Sequence, residues 1–411
     1  MNIHLLYKPN NFSGKINITG SKSESNRLLL LQAIYPNIKL NNISNSDDTN
    51  TIINALKFSR KNINIHHAGT AMRFLTAYYA FKLDSDIVLT GSERMQKRPI
   101  KILVNALKDL GALIEYQKDN GFPPLKITGS IPLNNYVKLS SSTSSQYISA
   151  LMLVAPKILN GLTIHLYGKI TSMPYIKMTE LLLKKIGVKV EFEKQKIKIF
   201  NKETIDDQVI DIESDWSSAS YFYSIVSLSD RSIIRLNSYK NKSLQGDACL
   251  MEIYEKLGVS SVFEGDTLVL EKKHEFIKPK YISLNLIDSP DLAQTIAVTC
   301  FGLEIDCELF GLHTLKIKET DRLSALKNEL TKLGACVSIT DESIHLKYSK
   351  ILNQNIKICT YQDHRMAMAF APLAIKTSII IEEASVVNKS YPDFWNDLEK
   401  IGFQYNKINI I

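Results

Sequence analysis

Glu319 lies in the most densely charged segment of the sequence, where one carboxylate stands among several cations. The segment reads Leu315-Lys316-Ile317-Lys318-Glu319-Thr320-Asp321-Arg322. Neighbouring positive charge keeps a carboxylate ionised, and a carboxylate in that setting can take part in proton transfer on a bound anion. The segment therefore predicts a site for proton chemistry on an anionic ligand.

Further candidate groups lie in polar turns that each precede an apolar helical pattern. The turns are Ser21-Lys22-Ser23, Ala68-Gly69-Thr70, Ser144-Ser145-Gln146, Asp215-Trp216-Ser217, Ser289-Pro290-Asp291 and Gln362-Asp363-His364. Any one of them alone could be an ordinary helix cap, and the serine run 140–145 could be a flexible linker. Arginines stand in or near such turns at positions 27, 73, 98, 322 and 365. Unpaired helix amides together with arginine suit phosphates and carboxylates.

The elements that must position these groups recur along the chain. Amphipathic helical patterns end in glycine and are followed by β-alternating runs, at Gly111, Gly187, Gly258, Gly334 and Gly402. We expect these glycines to adopt left-handed backbone conformations as helix caps. A spacing of about 70 to 75 residues exceeds that of common solenoid repeats, so each unit is predicted to be a small α/β subdomain.

Composition limits the class of protein. The chain has 411 residues, of which 45% are hydrophobic and 22% charged, which suits two globular domains of about 200 residues. No apolar stretch approaches the roughly 20 residues that cross a bilayer, and residues 1–15 resemble neither a signal nor a transit peptide, so we expect a cytoplasmic protein. The five cysteines lack metal-ligand spacing, which predicts structural thiols and no metal site.

The net charge of +8 is compatible with nucleic acid, an anionic membrane surface or small anionic substrates as partners. Many lysines lie in alternating strands such as Lys196-Ile197-Lys198-Ile199, where a solvated sheet face explains them. The arginines stand near helix starts without the interleaved aromatic residues that stack bases, which favours small anions. No GxxxxGK[ST], GxGxxG or GxSxG motif occurs, which argues against ATP, dinucleotides and a serine-hydrolase elbow.

Taken together, the motifs resemble those of the 5-enolpyruvylshikimate-3-phosphate synthase family, in the family's order and over almost the whole chain. They are Gly20-Ser21-Lys22-Ser23-x-Ser25-Asn26-Arg27, Ala68-Gly69-Thr70-Ala71-Met72-Arg73, Arg94-Met95-x-x-Arg98-Pro99-Ile100, Ser144-Ser145-Gln146, Lys318-Glu319-Thr320-Asp321-Arg322 and Asp363-His364-Arg365-Met366-Ala367-Met368. The resemblance implies transfer of the enolpyruvyl group of phosphoenolpyruvate to the 5-hydroxyl of shikimate 3-phosphate, with release of phosphate, in chorismate biosynthesis. It also implies an α/β fold, a two-domain inside-out α/β barrel of six βαβαββ repeats, three per domain.

The resemblance also implies site residues. For shikimate 3-phosphate these are Lys22, Ser23, Arg27, Ser144, Ser145, Gln146, Ser172, Tyr175, Asp291 and Lys318. For phosphoenolpyruvate they are Lys22, Gly69, Arg98, Gln146, Arg322, Arg365 and Lys389. Asp291 is the candidate base for the 5-hydroxyl, and Glu319 with Lys22 or Lys389 would move a proton on and off the methylene carbon. This chemistry implies no cofactor and no metal.

Other expectations follow from the same resemblance. One domain should span residues 20–213 and the other residues 1–19 plus 214–411, closing over the substrates as a monomer that binds neither nucleic acid nor membrane. Gly69 leaves room for the inhibitor glyphosate, so sensitivity is expected. Met173, His67, Phe74 and Thr314 stand where lysine, asparagine, proline and asparagine are common in the family.

Two alternatives stay open. The sister enzyme that transfers enolpyruvate to UDP-N-acetylglucosamine shares the fold but has a cysteine in a mobile loop, which the matching residues 91–98 lack. A non-catalytic polyanion-binding protein is suggested by the net charge alone, and a steep salt dependence of DNA binding would support it.

Overall fold

The computed structural model describes residues 1–6, 11–57, 61–140, 144–168, 170–350 and 353–408, so positions 141–143 of the serine run lie outside the described residues. The helices are α1 (Lys22–Ile34), α2 (Asp47–Lys57), α3 (Gly69–Phe81), α4 (Glu93–Gln96), α5 (Lys101–Asp109), α6 (Ser145–Val154), α7 (Met173–Lys185), α8 (Trp216–Leu228), α9 (Leu250–Glu255), α10 (Ala293–Gly302), α11 (Arg322–Lys332), α12 (His364–Phe370) and α13 (Phe394–Lys400).

The strands follow in the same chain order. They are β1 (Asn2–Leu5), β2 (Ser13–Ile16), β3 (Ile38–Asn41), β4 (Asn62–Asn64), β5 (Asp86–Thr90), β6 (Leu113–Tyr116), β7 (Leu125–Thr128), β8 (Tyr136–Ser140), β9 (Leu162–Tyr167), β10 (Val190–Glu193), β11 (Lys196–Ile199), β12 (Gln208–Asp211), β13 (Ile233–Leu236), β14 (Val259–Glu264), β15 (Thr267–Lys272), β16 (Tyr281–Asn285), β17 (Asp306–Phe310), β18 (Cys336–Ile339), β19 (Ser343–Lys347), β20 (Ile356–Ile358), β21 (Ile379–Ile381) and β22 (Tyr405–Ile408).

The chain divides into two compact units. Residues Gly20–Ile212 form one, called here the inserted unit. Met1–Thr19 and Glu213–Ile411 form the other, called here the terminal unit.

The inserted unit contains two four-stranded sheets of the same design, with strand orders β4-β5-β7-β6 and β8-β9-β11-β10. In each sheet the first two strands are parallel and the remaining pairs are antiparallel. A helix crosses over between the parallel strands and a second helix leads to the closing hairpin, which is the predicted βαβαββ order.

The first repeat of the inserted unit is shorter than predicted. Within the described residues its sheet has two strands, β3 and β12, paired in parallel. Helix α2 follows β3, and the next described strand, β4, belongs to the following sheet. In the described residues the sheet of this repeat is therefore smaller than the four-stranded sheets of the other repeats.

The terminal unit repeats the design in three four-stranded sheets, with strand orders β2-β13-β15-β14, β16-β17-β19-β18 and β20-β21-β1-β22. The N-terminal strands complete two of them. Strand β1 is antiparallel to both β21 and β22, and β2 pairs in parallel with β13. The predicted α/β class with repeated small sheets is confirmed.

The helices that open each repeat of the terminal unit lie inside it. All ten residues of α10 and all seven of α12 are buried, and α10 packs against both α8 and α12. Apolar residues occupy most positions of these helices, rather than one stripe, because each helix is covered on all sides. In the inserted unit α1, α3 and α6 contact one another in the same way. Helices inside and sheets outside are the arrangement that the term inside-out describes.

The predicted glycine caps are confirmed. Gly111, Gly187, Gly258, Gly334 and Gly402 have φ values of 102°, 83°, 85°, 103° and 111°. Each follows the second helix of a repeat, where a left-handed residue lets the chain turn back into the next strand.

The described helices are all too short or too polar to cross a membrane. The five cysteines are free thiols, with Cys300 and Cys307 buried and Cys336 exposed. Burial of the first two agrees with the predicted structural role, whereas Cys336 lies at the surface.

Candidate active site

The N-terminal ends of the inner helices meet in the terminal unit. Arg365, in the first turn of α12, places its Nη2 3.2 Å from Ser217 Oγ at the start of α8. The same nitrogen lies 3.3 Å from Asp291 Oδ2, in the turn that precedes α10. Asp363 caps α12 by accepting a 2.9 Å hydrogen bond from the Arg365 backbone N–H. Packing of the three apolar helices thus gathers the polar turns predicted from the sequence.

Arg322 is the buried centre of this group and is held by three carboxylates. Its Nε donates to Asp363 at 2.7 Å, Nη1 to Asp291 at 2.8 Å and Nη2 to Glu319 at 2.9 Å. Only 2% of its surface is exposed. Burial alone would lower the pKa of Arg322, but Asp363, Glu319 and Asp291 raise it above its ordinary value. The guanidinium is therefore charged at every accessible pH.

Asp291 is held ionised by cations on several sides. Besides Arg322 and Arg365, Lys318 places its Nζ 3.4 Å from Asp291 Oδ1. Burial would raise the pKa of Asp291, but Lys318, Arg365 and Arg322 outweigh it and lower the pKa well below its ordinary value. Asp291 is thus a ready hydrogen-bond acceptor whose proton affinity is low until the surrounding cations engage other anions.

Glu319 is paired with cations from two parts of the chain. Arg322 Nη2 contacts one carboxylate oxygen, and Lys389 Nζ lies 2.7 Å from the other. Lys316, a sequence neighbour expected to add to this cluster, instead pairs with Asp341 at 2.6 Å. We refer to the set of Asp291, Lys318, Glu319, Arg322, Asp363, Arg365 and Lys389 as the Arg322 cluster.

The inserted unit carries a second polar group, centred on Arg27 in α1. Its Nε donates to Thr179 Oγ1 at 2.8 Å, and its Nη2 lies 3.2 Å from Ser149 Oγ and 3.3 Å from the Tyr175 carbonyl. The guanidinium also lies over the rings of Phe74 and Tyr175, at 5.5 Å and 5.9 Å. Burial lowers the pKa of Arg27 to about 10, which still leaves it charged at neutral pH.

Gly69 and Arg98 are in close contact. A methyl group added at Gly69 would lie 2.7 Å from Arg98 Nη1 and 2.8 Å from Arg73 Nη1. Arg98 Nε is buried and has no hydrogen-bond partner among the described residues. Its segment is anchored by Tyr147, whose hydroxyl donates to the Pro99 carbonyl at 2.6 Å. The arrangement leaves an arginine with unused donor capacity beside the start of α3.

The remaining predicted residues of the inserted unit lie at helix starts. Lys22 Nζ, in the first turn of α1, lies 3.2 Å from Asp48 Oδ2. Ser144 caps α6 by accepting from the Gln146 backbone N–H, and the Gln146 side chain donates to Thr70 Oγ1 at 3.2 Å. Ser172 precedes α7 in a left-handed conformation, with φ of 55°.

Ser23 and Ser145 complete the predicted set. The Ser23 carbonyl accepts from Arg27 Nη1 at 2.8 Å, and Ser145 is buried at the start of α6. Side-chain hydrogen bonds join α6 to α3 through Gln146 and Thr70, and α1 to α6 through Arg27 and Ser149.

Several residues of these groups were missed in the sequence. Ser149 and Thr179 hold Arg27, Asp48 pairs with Lys22, and Asp247 contacts Ser217. No local pattern could have indicated them, because Thr179 is 152 residues from Arg27 and Asp247 is 30 from Ser217. Asp363 was within a quoted motif, but its side-chain contact with Arg322 spans 41 residues.

Comparison with solved structures defines the class of fold. The chain superposes on EPSP synthase from Acinetobacter baumannii with a TM-score of 0.80 at 20% identity, covering 98% of this chain and 99% of that one. It also superposes on the enolpyruvyl transferase NikO from Streptomyces tendae, with a TM-score of 0.75 at 14% identity and 98% coverage of both chains. The fold is therefore that of the enolpyruvyl transferases.

Comparison with known sequences identifies the family within this fold. The model of the EPSP synthase (3-phosphoshikimate 1-carboxyvinyltransferase) family matches residues 57–398. A 3-phosphoshikimate 1-carboxyvinyltransferase from Bacteroides fragilis (strain YCH46) is 43% identical over 404 residues, covering 97% of this chain and 98% of the relative. A 3-phosphoshikimate 1-carboxyvinyltransferase from Haemophilus influenzae (strain PittGG) is 35% identical, covering 94% of this chain and 96% of the relative. The chain belongs to the EPSP synthase family.

Proposed function

We propose that the protein transfers the enolpyruvyl group of phosphoenolpyruvate to the 5-hydroxyl of shikimate 3-phosphate, giving 5-enolpyruvylshikimate 3-phosphate and phosphate. The observation that carries the proposal is the Arg322 cluster, in which Asp291 and Glu319 contact one buried arginine at 2.8 and 2.9 Å. Relatives named for this activity, similar over nearly the whole chain, support it.

In the inserted unit we assign Ser23, Arg27, Ser144, Ser145, Ser172 and Tyr175 to shikimate 3-phosphate. Two features support this assignment. The hydroxyls cluster at helix starts, where backbone amides also favour a phosphate, and Arg27 supplies a fixed buried cation.

For phosphoenolpyruvate we assign Lys22, Gly69, Arg98 and Gln146 in this unit. The buried Nε of Arg98 has no hydrogen-bond partner among the described residues, and guanidinium forks bind carboxylate or phosphate in two-point geometry. Gly69 has no side chain, which lets the Arg98 and Arg73 guanidinium groups lie close to the start of α3, where they can bind a small anion.

In the terminal unit we assign Arg322, Arg365 and Lys389 to phosphoenolpyruvate, and Asp291 and Lys318 to shikimate 3-phosphate. Each of these cations contacts Asp291 or Glu319. When substrate anions engage the cations, Asp291 loses part of the charge that lowers its pKa, so its strength as a base increases. This makes Asp291 the proposed base for the 5-hydroxyl.

The reaction balances as addition followed by elimination. The 5-hydroxyl oxygen bonds to C2 of phosphoenolpyruvate while its proton goes to Asp291, and C3 gains a proton from an acid. One C3 proton then leaves as the C2–O bond to phosphate breaks, which restores the double bond. Glu319 with Lys22 or Lys389 is proposed to exchange the C3 proton, and the 2.7 Å contact between Glu319 and Lys389 supports a proton path in the terminal unit.

We also propose that the inserted and terminal units are the two domains of the family fold. Their limits, Gly20–Ile212 and Met1–Thr19 with Glu213–Ile411, support this proposal. From the resemblance we further propose that the protein is cytoplasmic and monomeric. Sedimentation of the purified protein would test the monomeric state.

Identification of the reaction product tests the proposed function. Purified protein would be incubated with phosphoenolpyruvate and either shikimate 3-phosphate or UDP-N-acetylglucosamine, and the products resolved by mass spectrometry and proton NMR. We expect vinyl protons of an enol ether on shikimate 3-phosphate alone. An enol ether on the nucleotide sugar would reassign the protein to the sister activity, and no product with either acceptor would contradict enolpyruvyl transfer.

A further inference from the structure

Asp247 is a buried acidic residue beside the Arg322 cluster and outside the assigned set. It lies in the short helical turn Gly246–Cys249 and is 4% exposed. One carboxylate oxygen, Oδ2, accepts a hydrogen bond from Ser217 Oγ. The other, Oδ1, is buried and has no hydrogen-bond partner among the described residues. A buried carboxylate with half its acceptor capacity unused is costly, so its position calls for an explanation.

Ser217 connects this carboxylate to Arg365. Arg365 Nη2 lies 3.2 Å from Ser217 Oγ, and a guanidinium can only donate. The serine oxygen therefore accepts from Arg365, and its single proton is directed to Asp247. The three groups form a directed chain, with Arg365 donating to Ser217 and Ser217 donating to Asp247.

Arg365 is thus held on two sides, but the two carboxylates differ. Asp291 contacts Arg365 at 3.3 Å and is shared with Arg322 and Lys318. Asp247 interacts electrostatically with one cation, Arg365, and with two other carboxylates, Asp291 and Asp215. When substrate engages the cations around Asp291, the hydrogen bonds through Ser217 continue to orient Arg365, beside the 3.4 Å hydrogen bond from Arg365 Nη1 to the Asp291 backbone carbonyl.

We propose that Asp247 is a positioning residue that acts through Ser217 to hold Arg365 in the orientation that binds phosphoenolpyruvate. The inference rests on the proposed function, because it concerns how one assigned cation is presented to that substrate. It deepens the assignment by naming two residues, Ser217 and Asp247, that need not touch either substrate.

The ionisation of Asp247 supports the proposal and supplies a test. Burial raises the pKa of Asp247 to about 6, although Arg365 and the hydrogen bond from Ser217 oppose the shift. The charged or titratable groups around it are Arg365, Asp291, Asp215 and the thiol of Cys249 in its own turn. As the pH falls through about 6, Asp247 gains a proton, and the hydrogen-bond series from Arg365 through Ser217 no longer ends on a negative charge.

The experiment measures kcat and the KM of each substrate for the parent, Asp247→Asn and Ser217→Ala. Loss of a hydrogen bond to a charged group should raise the KM for phosphoenolpyruvate about tenfold at neutral pH in either variant. The kcat and the KM for shikimate 3-phosphate should change by less than about twofold, because Arg365 is assigned to the other substrate. The KM of the double variant for phosphoenolpyruvate should equal that of either single variant, since both substitutions interrupt the same series of hydrogen bonds.

The pH profile separates positioning from a merely structural role. Between about pH 7.5 and pH 5, the ratio of the variant KM to the parent KM should fall toward one, because the parent also loses the Asp247 charge. The ratio is used because the phosphate of phosphoenolpyruvate itself titrates near pH 6 and affects both proteins equally. Asp230→Asn, an exposed change in the same unit, is the matched control.

The possible failures are distinguishable. An active parent with an unchanged KM for phosphoenolpyruvate in both variants overturns the inference and leaves the proposed function intact. An equal rise in both KM values, or a pH-independent ratio, indicates a general structural effect and also overturns it. If Asp247→Asn does not fold, Ser217→Ala decides alone. A parent without turnover contradicts the proposed function and this inference together.

Discussion

At the scale of single residues, several candidate cations of the two units are paired with carboxylates. Lys22 pairs with Asp48, Lys389 with Glu319, and Arg322 with three carboxylates. The two substrates together bring about four to five negative charges, so these partners must yield to the ligands or share the cations with them. Each substrate anion therefore competes with a protein carboxylate for its cation.

The Lys22→Met change should abolish turnover while the fold stays intact. The Lys22 side chain is 18% exposed and that of its partner Asp48 is 7% exposed, so loss of this cation should cost about 1 to 3 kcal/mol, which is less than the total stability of a typical domain. Loss of a cation at the reacting centre should lower kcat on the order of a thousandfold. Phosphate release and thermal unfolding would be measured beside Lys39→Met, an exposed lysine of the same unit. Near-parental turnover would contradict the assigned role.

The Arg98→Ala change should chiefly weaken the binding of phosphoenolpyruvate. Because the arginine is expected to form a charge-assisted pair with that anion, the KM should rise about 10- to 100-fold, with a smaller change in kcat. Arg94→Ala, which removes an exposed arginine from the same segment, serves as the control. If steady-state kinetics give the parental KM for Arg98→Ala, Arg98 is not a ligand of this substrate.

At the scale of elements, the sequence predicted features that depend on neighbouring residues, but it did not predict contacts between residues far apart in the chain. The starts of the inner helices and the five glycine caps were predictable, because capping residues and glycine act within one turn. The contact of Arg27 with Thr179 was not, since it joins residues 152 apart in α1 and α7. Such pairs depend on how helices pack, and no residue pattern encodes that packing locally.

The shortened first repeat has a related cause. Its sheet is completed by β12, a strand that enters about 170 residues after β3. Periodicity can indicate that a segment is a strand, but it does not show which strand pairs with which. The register in which Val209 pairs with Lys39 is visible only in the folded chain.

Gly187 provides a test of the cap design. A methyl group there would come no nearer than 3.9 Å to the Lys202 side chain, so substitution costs only the strain of a left-handed conformation at φ 83°. Gly187→Ala should lower the free energy of unfolding by about 1 kcal/mol, and Gly187→Asn by less, because asparagine tolerates this region. Denaturant unfolding measures both. Equal stability of parent and alanine variant would contradict the role of the cap.

At the scale of the whole molecule, the N-terminal strands belong to a unit formed mainly by the C-terminal half. Strand β1 lies between β21 and β22, and its Ile3 and Leu5 side chains are completely buried. The chain enters the inserted unit at Gly20 and returns at Glu213. The folding of the terminal unit therefore requires residues at both ends of the chain.

Deletion of residues 1–6 should destabilise the terminal unit selectively. The change leaves β21 and β22 without their central partner and removes two buried apolar side chains, each contributing about 1.5 to 3 kcal/mol. Limited proteolysis with mass spectrometry should show cleavage within residues 213–411, while 20–212 stays resistant as the internal control. Equal resistance of both segments would show that β1 is dispensable.

The central claim, that the charged groups at the inner helix starts transfer enolpyruvate to shikimate 3-phosphate, is tested most directly by phosphate release. Purified protein would be given phosphoenolpyruvate alone, with shikimate 3-phosphate, or with UDP-N-acetylglucosamine. We predict release that depends on shikimate 3-phosphate and is lost in Lys22→Met. Release that depends on the nucleotide sugar instead, or no release with either acceptor, would contradict the claim.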